Sequence, residues 1–258
     1  MRIINNKKLN KRLDDRGAAI VTVIVVCAFI TIIATTMLYI SARNFQTKQV
    51  DYQNKISFYQ AEEALDTLKS LLVEDVNDAF KYAYADTMAN VVDHKGTPNV
   101  SNYYSKSYTE KLSSVWAARS GLSTSQLLVA SDATKAQVTA AVKTYMTNKL
   151  ITEPGLTGTT QAVEIQSMID CIQEVSNFYI PPAKDKFVMV GVKSAFTTGN
   201  GYSTYIYTDI GLELPQLYIS GMEVGIDPSS PDNPANYAGH EVNVADCVKY
   251  MNWHRYDD

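Results

Sequence analysis

The sequence is poor in residues that interrupt helices, and it lacks charge over one long stretch. Proline and glycine are absent between Ala18 and Lys95, so nothing in that stretch forces a helix to break. No charged residue occurs from residue 17 to residue 42, and a run that is apolar on all sides is not typical of a helix exposed to water. We therefore expect one continuous helix that begins in an apolar environment and continues into a polar one.

Histidine and cysteine are scarce, with three of each in the chain. His94, His240 and His254 are isolated, and none has the spacing of a zinc site or a metalloprotease. The sequence also lacks the nucleophile elbow of hydrolases. We predict no catalytic residue, no metal site, no cofactor and no small-molecule substrate, and we expect that the chain is not an enzyme. The oxygen-rich segment 227–234 fits a calcium loop, but we favour a loop stiffened by its prolines.

Charge of neither sign dominates the chain as a whole. The net charge is -4, which gives no basic footprint for nucleic acid, so no nucleic-acid partner is predicted. The basic residues are nevertheless concentrated at one end, because six of them lie in the first sixteen residues against two aspartates. With 46% hydrophobic residues and 19% charged residues, the composition is that of a folded chain.

The uncharged run from residue 18 to about residue 40 is long enough to cross a membrane. A helix rises about 1.5 Å per residue, and a bilayer core about 30 Å thick needs about 20 residues. A cleaved secretory signal has a shorter apolar core, and a lipoprotein would need small residues before Cys27. We therefore favour a transmembrane anchor. Because the basic residues precede it, the N-terminus is expected in the cytoplasm and the rest of the chain outside the cell.

Beyond the anchor the chain keeps a helical pattern but becomes amphipathic. Apolar residues recur at steps of mostly three, four or seven residues, which is typical of one helix face. A cluster of helix-breaking residues at 95–99 closes this segment. The residues of the predicted face are Phe45, Tyr52, Ile56, Tyr59, Leu65, Leu68, Leu72, Val76 and Phe80.

The remainder of the chain changes from helical to strand-like spacing. Apolar residues recur at helical spacing over 102–119 and again over 132–150, where Asp132 is a candidate N-cap. From residue 186 the pattern alternates, as it does in strands. Two alternating runs flank Gly-Asn-Gly at 199–201, which predicts a β-hairpin.

Some distal segments are left with two interpretations. Residues 161–175 fit either a helix or a strand, residues 242–250 fit a strand or a short helix, and residues 217–226 are a further strand candidate. The aromatic C-terminus, 250–256, either packs on the sheet, which we favour, or forms a recognition patch.

These patterns predict an α+β fold. A long N-terminal helix, membrane-spanning and then amphipathic, packs against an antiparallel β-sheet, with a helical insertion between them in the chain. The predicted segments are a basic cytoplasmic leader at 1–17, a transmembrane helix at 18–42, an amphipathic stalk helix at 43–95, a helical insertion at 96–160 and a β-rich exported domain at 161–258.

Two short motifs in this order resemble those of a known family. Residues 16–21, Arg-Gly-Ala-Ala-Ile-Val, join the basic leader to the apolar helix, and residues 58–65, Phe-Tyr-Gln-Ala-Glu-Glu-Ala-Leu, lie on the stalk. Together they resemble the type IV pilin and pseudopilin superfamily, and within it the minor pilins with a PilX-type N-terminus. The resemblance covers about the first third of the chain.

The resemblance implies processing and assembly. A prepilin peptidase would cut between Gly17 and Ala18, and other pilin subunits would be the partners. Major pilins have phenylalanine at the first mature position and glutamate at the fifth, where this chain has Ala18 and Thr22. The departure at Thr22 implies a minor subunit and not a major one.

Three stalk residues are implied to take part in packing within or between subunits. These are Tyr59, Glu63 and Leu65 of the second motif. Glu62 and Glu63 point about 100° apart on a helix, so they do not form a facing carboxylate pair. The resemblance favours Glu63 as the one that pairs locally.

Cys171 and Cys247 lie in the part of the chain predicted to be exported. An oxidising environment would permit a disulfide between them. The alternative is two buried free thiols, and the sequence does not decide between the two.

The alternative function is a single-pass surface protein that keeps its leader and uses its exported domain for binding. The first residue of the protein in its native membrane separates the two hypotheses. A chain that begins at Ala18 supports the pilin interpretation, and one that begins at Met1 supports the alternative.

Overall fold

The structure is a computed structural model that describes residues 7–90, 100–128, 133–179, 186–215 and 244–257. It confirms the predicted α+β fold, with a long N-terminal helix, further helices and a four-stranded antiparallel sheet. The chain divides into two compact units, Met1–Gln53 and Asn54–Asp258. Each unit is described in turn.

Helix α1 extends over Lys7–Asn90, as the absence of proline and the near absence of glycine predict. In the first unit, residues 17–49 of this helix are all exposed. The helical segment Gly17–Thr87 includes a window of 18 residues with a mean hydropathy of 2.8, none of it buried. This segment is long and apolar enough to cross a membrane.

The threonines of the apolar segment bond to the helix itself. The hydroxyl of Thr22 donates to the carbonyl oxygen of Ala18 at 2.9 Å, and that of Thr36 donates to Ile32 at 2.7 Å. Thr31 and Thr35 make the same kind of bond one turn back. Each hydroxyl therefore has an acceptor that does not depend on water, as a lipid environment requires.

In the second unit, one face of α1 is buried. Its members follow one another at steps of mostly three and four residues, which places them along one side of the helix. Of the predicted apolar face, Leu65, Leu68, Leu72 and Val76 are buried and Ile56 and Phe80 are half-buried, whereas Phe45, Tyr52 and Tyr59 are exposed. The buried apolar residues of this face are Ala61, Ala64, Leu65, Leu68, Leu71, Leu72, Val76, Ala79 and Ala83.

The sheet is an antiparallel meander in the order β1–β2–β3–β4. Its strands are β1 (Ile172–Tyr179), β2 (Lys186–Thr197), β3 (Ser203–Glu213) and β4 (Val248–Asp257). The predicted hairpin joins β2 to β3, and Gly201 adopts a left-handed φ of 85° in its turn, which suits glycine.

Three hydrogen bonds attach α1 to successive strands. Ser194 of β2 donates to the carbonyl oxygen of Ala61 at 2.7 Å. Ser57 donates to the hydroxyl of Thr204 on β3 at 2.7 Å, and the Tyr250 hydroxyl of β4 donates to the Asp66 carboxylate at 2.9 Å. The helix therefore packs across the sheet, and the polar groups at this contact are satisfied.

In the described part of the chain, four shorter helices lie between α1 and the sheet in sequence order. They are α2 (Val100–Ser120), α3 (Thr124–Leu128), α4 (Lys135–Thr147) and α5 (Thr160–Asp170), and a π-helical turn, Asn148–Thr152, continues α4. At their centre the ring of Trp116 stacks on Tyr145 with 3.9 Å between centroids and contacts Phe178 of β1 at 4.6 Å.

The start of α4 differs from its prediction. The N-cap is Thr134, whose side chain accepts from the backbone of Gln137 in a capping box. Asp132, the predicted cap, lies outside the described residues. Both threonine and aspartate are good caps, and the spacing of the apolar residues does not separate two candidates so close together.

The segments with two interpretations resolve into one element of each kind. The region 161–175 contains all of α5 except its first residue, followed by the start of β1. The region 242–250 contains a 3₁₀ turn, Val244–Cys247, followed by β4, and the aromatic C-terminus belongs to β4 itself. The predicted elements at 95–99, 217–226 and 227–234 lie outside the described residues.

Candidate functional site

The residues at the predicted cleavage site lie in the exposed part of α1. A Cβ atom added to Gly17 would meet nothing within 4 Å. Because glycine inside a helix costs about 1 kcal/mol relative to alanine, Gly17 is not explained by helix stability or by packing. Ala18 follows Gly17, and the carbonyl oxygen of Ala18 accepts a hydrogen bond from the hydroxyl of Thr22.

The three predicted packing residues do not lie together. Leu65 is 1% exposed and belongs to the core, whereas Tyr59 is 60% exposed. Glu63 is exposed and accepts a long hydrogen bond of 3.5 Å from Gln60 one turn before it. Tyr59 and Glu63 line one shallow depression of about 540 Å³ beside α1, together with Leu150.

The two distal cysteines are free thiols in the structure. Cys171 directly precedes β1, and Cys247 directly precedes β4. These are the outer strands of the sheet, about 14 Å apart at a spacing of about 4.8 Å per strand. A disulfide needs Cα atoms within about 7 Å, so of the two alternatives that the sequence left open, the structure favours free thiols. Burial raises the pKa of Cys171 to about 11, which keeps this thiol protonated and unreactive.

A buried charge cluster joins α1 to the helices α2 and α4, and sequence reasoning missed it. Asp75 is 1% exposed, and its carboxylate accepts from the Tyr145 hydroxyl at 2.6 Å and lies 3.0 Å from the Lys149 ammonium. Arg119 lies 3.4 Å from the same carboxylate and forms an ion pair with Glu153 at 2.6 Å. Asp75 lies three residues after Leu72, on the buried face of α1. A carboxylate at this position in the apolar pattern is the signal in the sequence that could have revealed the cluster.

The outer surface of the sheet carries a second cluster that the sequence did not reveal. In β3 the buried residues alternate with half-buried ones, and Tyr205 and Tyr207 belong to the half-buried set. They line a shallow depression of about 590 Å³ with Lys193 of β2 and Tyr256 of β4. We call these four residues the tyrosine depression.

The histidines that the sequence shows as isolated are not joined into a cluster within the ranges that the structure describes. Among the residues that the structure describes, no group of three or more histidine, cysteine or acidic side chains is placed to hold a metal ion. His254 is exposed on β4, while His94 and His240 lie outside the described residues.

Comparisons with known proteins assign this chain to no family. No protein-family model, no curated protein and no solved structure matches the chain.

Proposed function

We propose that the chain is a minor pilin-like structural subunit of a type IV pilus or a related filament machine. In this proposal the leader is cut after Gly17, the apolar helix is held in the membrane until assembly, and it then packs among the helices of other pilin subunits. Prepilin peptidase and those subunits are the partners.

The observation that carries the proposal is the organisation of helix α1. Residues 18–42 of this helix are apolar and exposed. Further along the helix, the segment from Ser57 to Asp66 packs on an antiparallel sheet through three hydrogen bonds. The same architecture is expected from the resemblance in the first third of the sequence.

Gly17 adds a second, independent support. The residue has open surroundings and lowers the stability of the helix that contains it. A peptidase that must fit the chain into a narrow site provides a reason for a small residue at this junction. Thr22, whose hydroxyl is bonded within the helix, fits a minor subunit because it offers no charge to a neighbouring subunit.

The test is the mass and the first residue of the protein from its native membrane. We expect a chain that begins at Ala18, and we expect Gly17→Leu to retain the leader. Ala28→Leu, which places the same leucine side chain further along the exposed apolar helix, is the matched control and should be processed normally. A wild-type chain that begins at Met1 would contradict processing. Mass spectrometry of filaments sheared from the cell surface then tests assembly.

The tyrosine depression favours a second candidate function. In that case the chain remains a single-pass membrane protein with its leader intact, and the sheet domain serves as an extracellular binding module. A start at Met1, together with absence from sheared filaments, would favour this function over the first.

A further inference from the structure

The four side chains of the tyrosine depression are brought together by strand register. Lys193 is paired with Tyr207 across β2 and β3, and Tyr205 is paired with Tyr256 across β3 and β4. The rings of Tyr207 and Tyr256 meet edge to face with 5.7 Å between centroids. Directly opposed residues on one face of a sheet lie close enough for such contacts, so the arrangement is held by the backbone.

The ammonium of Lys193 lies over aromatic rings, and its charge also contributes, after the hydrogen bond from Lys135, to lowering the pKa of Glu174 on the neighbouring strand. This ammonium lies 4.4 Å from the ring centroid of Tyr205 and 5.5 Å from that of Tyr207. Glu174 is the residue paired with Lys193 on β1, but its carboxylate is bound to Lys135 and to the hydroxyl of Ser176. Within the described part of the chain, Lys193 makes no ion pair at salt-bridge distance.

The combination of groups restricts the ligand. Tyrosine rings offer apolar faces, their hydroxyls offer both donors and acceptors, and one cation offers attraction to one negative charge. Quaternary ammonium ligands favour aromatic cages, but Lys193 would repel them. Phosphate sites generally use several donors or a helix N-terminus, and neither is present among these four residues.

A single-stranded nucleic acid is also disfavoured. Such ligands need aromatic platforms within a groove of many positive charges. The depression contains one cation, and the chain as a whole has a net charge of -4. A ligand that matches the four side chains has an apolar ring face, several hydroxyls and one carboxylate per unit.

We propose that the tyrosine depression binds a carboxylate-bearing sugar unit of an acidic polysaccharide. The sugar ring lies against Tyr207 and Tyr256, and its carboxylate meets the Lys193 ammonium. This site does not depend on filament assembly, so it stands or falls separately from the proposed function.

The experiment is calorimetric titration of the full chain in detergent micelles with trigalacturonate. The fully methyl-esterified trimer, which has the same rings without charge, is the matched ligand control. We expect trigalacturonate to bind more tightly than the ester, and we expect added salt to weaken only the charged ligand.

Variants distinguish the depression from other surfaces. Lys193→Gln should weaken trigalacturonate binding roughly two- to fivefold, since an exposed charge contact is of that order, and it should leave the ester unaffected. Tyr207→Ala should weaken both ligands by about fivefold or more, by analogy with stacking on aromatic platforms. Tyr82→Ala is the matched control, because Tyr82 is 50% exposed and also carries a lysine, Lys111, at 4.8 Å from its ring.

Three outcomes would overturn the proposal. The first is no binding of trigalacturonate by the wild-type chain. The second is trigalacturonate binding that neither Lys193→Gln nor Tyr207→Ala weakens, or binding that the control variant Tyr82→Ala weakens as much as these two do. The third is a short thymidine oligonucleotide that binds more tightly than trigalacturonate and depends on Lys193. Unchanged circular dichroism of the variants guards against loss of the fold.

Discussion

The carboxylate of Asp75 lies 3.0 Å from the ammonium of Lys149, and the two side chains are only 1% and 6% exposed. Burial raises the pKa of Asp75 above its ordinary value, despite the hydrogen bonds from Tyr145 and Lys149 and the nearby positive charge of Arg119. Burial by itself would lower the pKa of Lys149, but its hydrogen bonds to Glu74 and Asp75 together raise it. The charge of Asp75 therefore depends on Lys149 more than the charge of Lys149 depends on Asp75.

Lys149→Met should destabilise the protein more than Asp75→Asn. Without Lys149, the buried Asp75 loses its nearest cation, and we expect a loss of about 3 kcal/mol at neutral pH. Asparagine at position 75 still accepts from Tyr145, and Lys149 keeps Glu74 at 3.0 Å, so we expect a loss of about 1 kcal/mol. Urea unfolding measures both.

Asp78→Asn is the control for this pair of variants, because Asp78 is exposed on the same helix. Its stability should stay within about 0.5 kcal/mol of the wild type. If Asp75→Asn lowers the unfolding free energy as much as Lys149→Met does, or more, then Asp75 does not depend on Lys149 in the way proposed.

The stability of the cluster should depend on pH with a definite sign. The folded-state pKa of Asp75 lies above its ordinary value of 3.8, so the folded state binds this proton more tightly. The stabilisation from protonated Asp75 is complete below pH 3.8 and is lost as the pH rises through the folded-state pKa. The cost of Lys149→Met should therefore shrink as the pH falls, since a protonated Asp75 needs no counter-charge.

The measurement is the difference in unfolding free energy between the wild type and Lys149→Met, taken from acid to neutral pH. Glu153 acts in the opposite sense, because its hydrogen bond with Arg119 lowers its pKa and its contribution is lost as the pH falls. Arg119 is present in both proteins, and Lys149 is only the last of the causes that act on Glu153, so this contribution largely cancels in the difference. A cost that grows towards acid would contradict the prediction.

Gly191→Ala should destabilise the sheet by about 2 kcal/mol, which is typical of strain at a left-handed position. Gly191 has a φ of 61° at the irregular register between β2 and β3, and an added Cβ would lie 2.5 Å from the hydroxyl oxygen of Ser176. Gly199→Ala is the control, because nothing lies within 4 Å of its Cβ position. Thermal unfolding measures both.

A second change separates the two causes at Gly191. Ser176→Gly combined with Gly191→Ala removes the overlap but keeps the positive φ, so it should restore only part of the loss. Full recovery would show that the backbone conformation contributes nothing, contrary to expectation.

Trp116→Phe should be tolerated far better than Trp116→Ala. The Trp116 indole is fully buried against Tyr145, and its N–H has no hydrogen-bond partner among the described residues. Phenylalanine keeps the aromatic stack and removes that unsatisfied donor, so we expect a cost below about 1.5 kcal/mol. Alanine leaves a cavity, at about 3–5 kcal/mol.

Far-ultraviolet circular dichroism is the appropriate probe, because the variants remove one of only two tryptophans. Trp253→Ala is the matched control, as Trp253 lies on strand β4 and is 42% exposed, so it should cost less than Trp116→Ala. Equal costs for Trp116→Phe and Trp116→Ala would contradict the importance of the stack.

Local features of the sequence were sufficient for the long helix and the hairpin. The absence of proline between Ala18 and Lys95 and the spacing of Leu65, Leu68 and Leu72 act within a few turns, so they are readable without knowing the fold. Gly201 marks the hairpin turn for the same reason, because its conformation depends on its immediate neighbours.

The charge cluster could not be predicted in full, because its members are far apart in the chain. The position of Asp75 on a buried face was visible, but the choice of Tyr145, Lys149 and Arg119 as its partners depends on how α2 and α4 pack against α1. Long-range packing of this kind leaves no periodic signal.

The sequence by itself determined the apolar helix after Gly17, the amphipathic helix that follows and the strands around residues 199–201, because these depend on local composition and spacing. The tertiary structure alone decided which residues meet. Sheet order separates Cys171 from Cys247 by the full width of the sheet, and strand register brings Lys193 to Tyr207. Register and strand order are set by the packing of the whole core, so neither could be read from the segments taken one at a time.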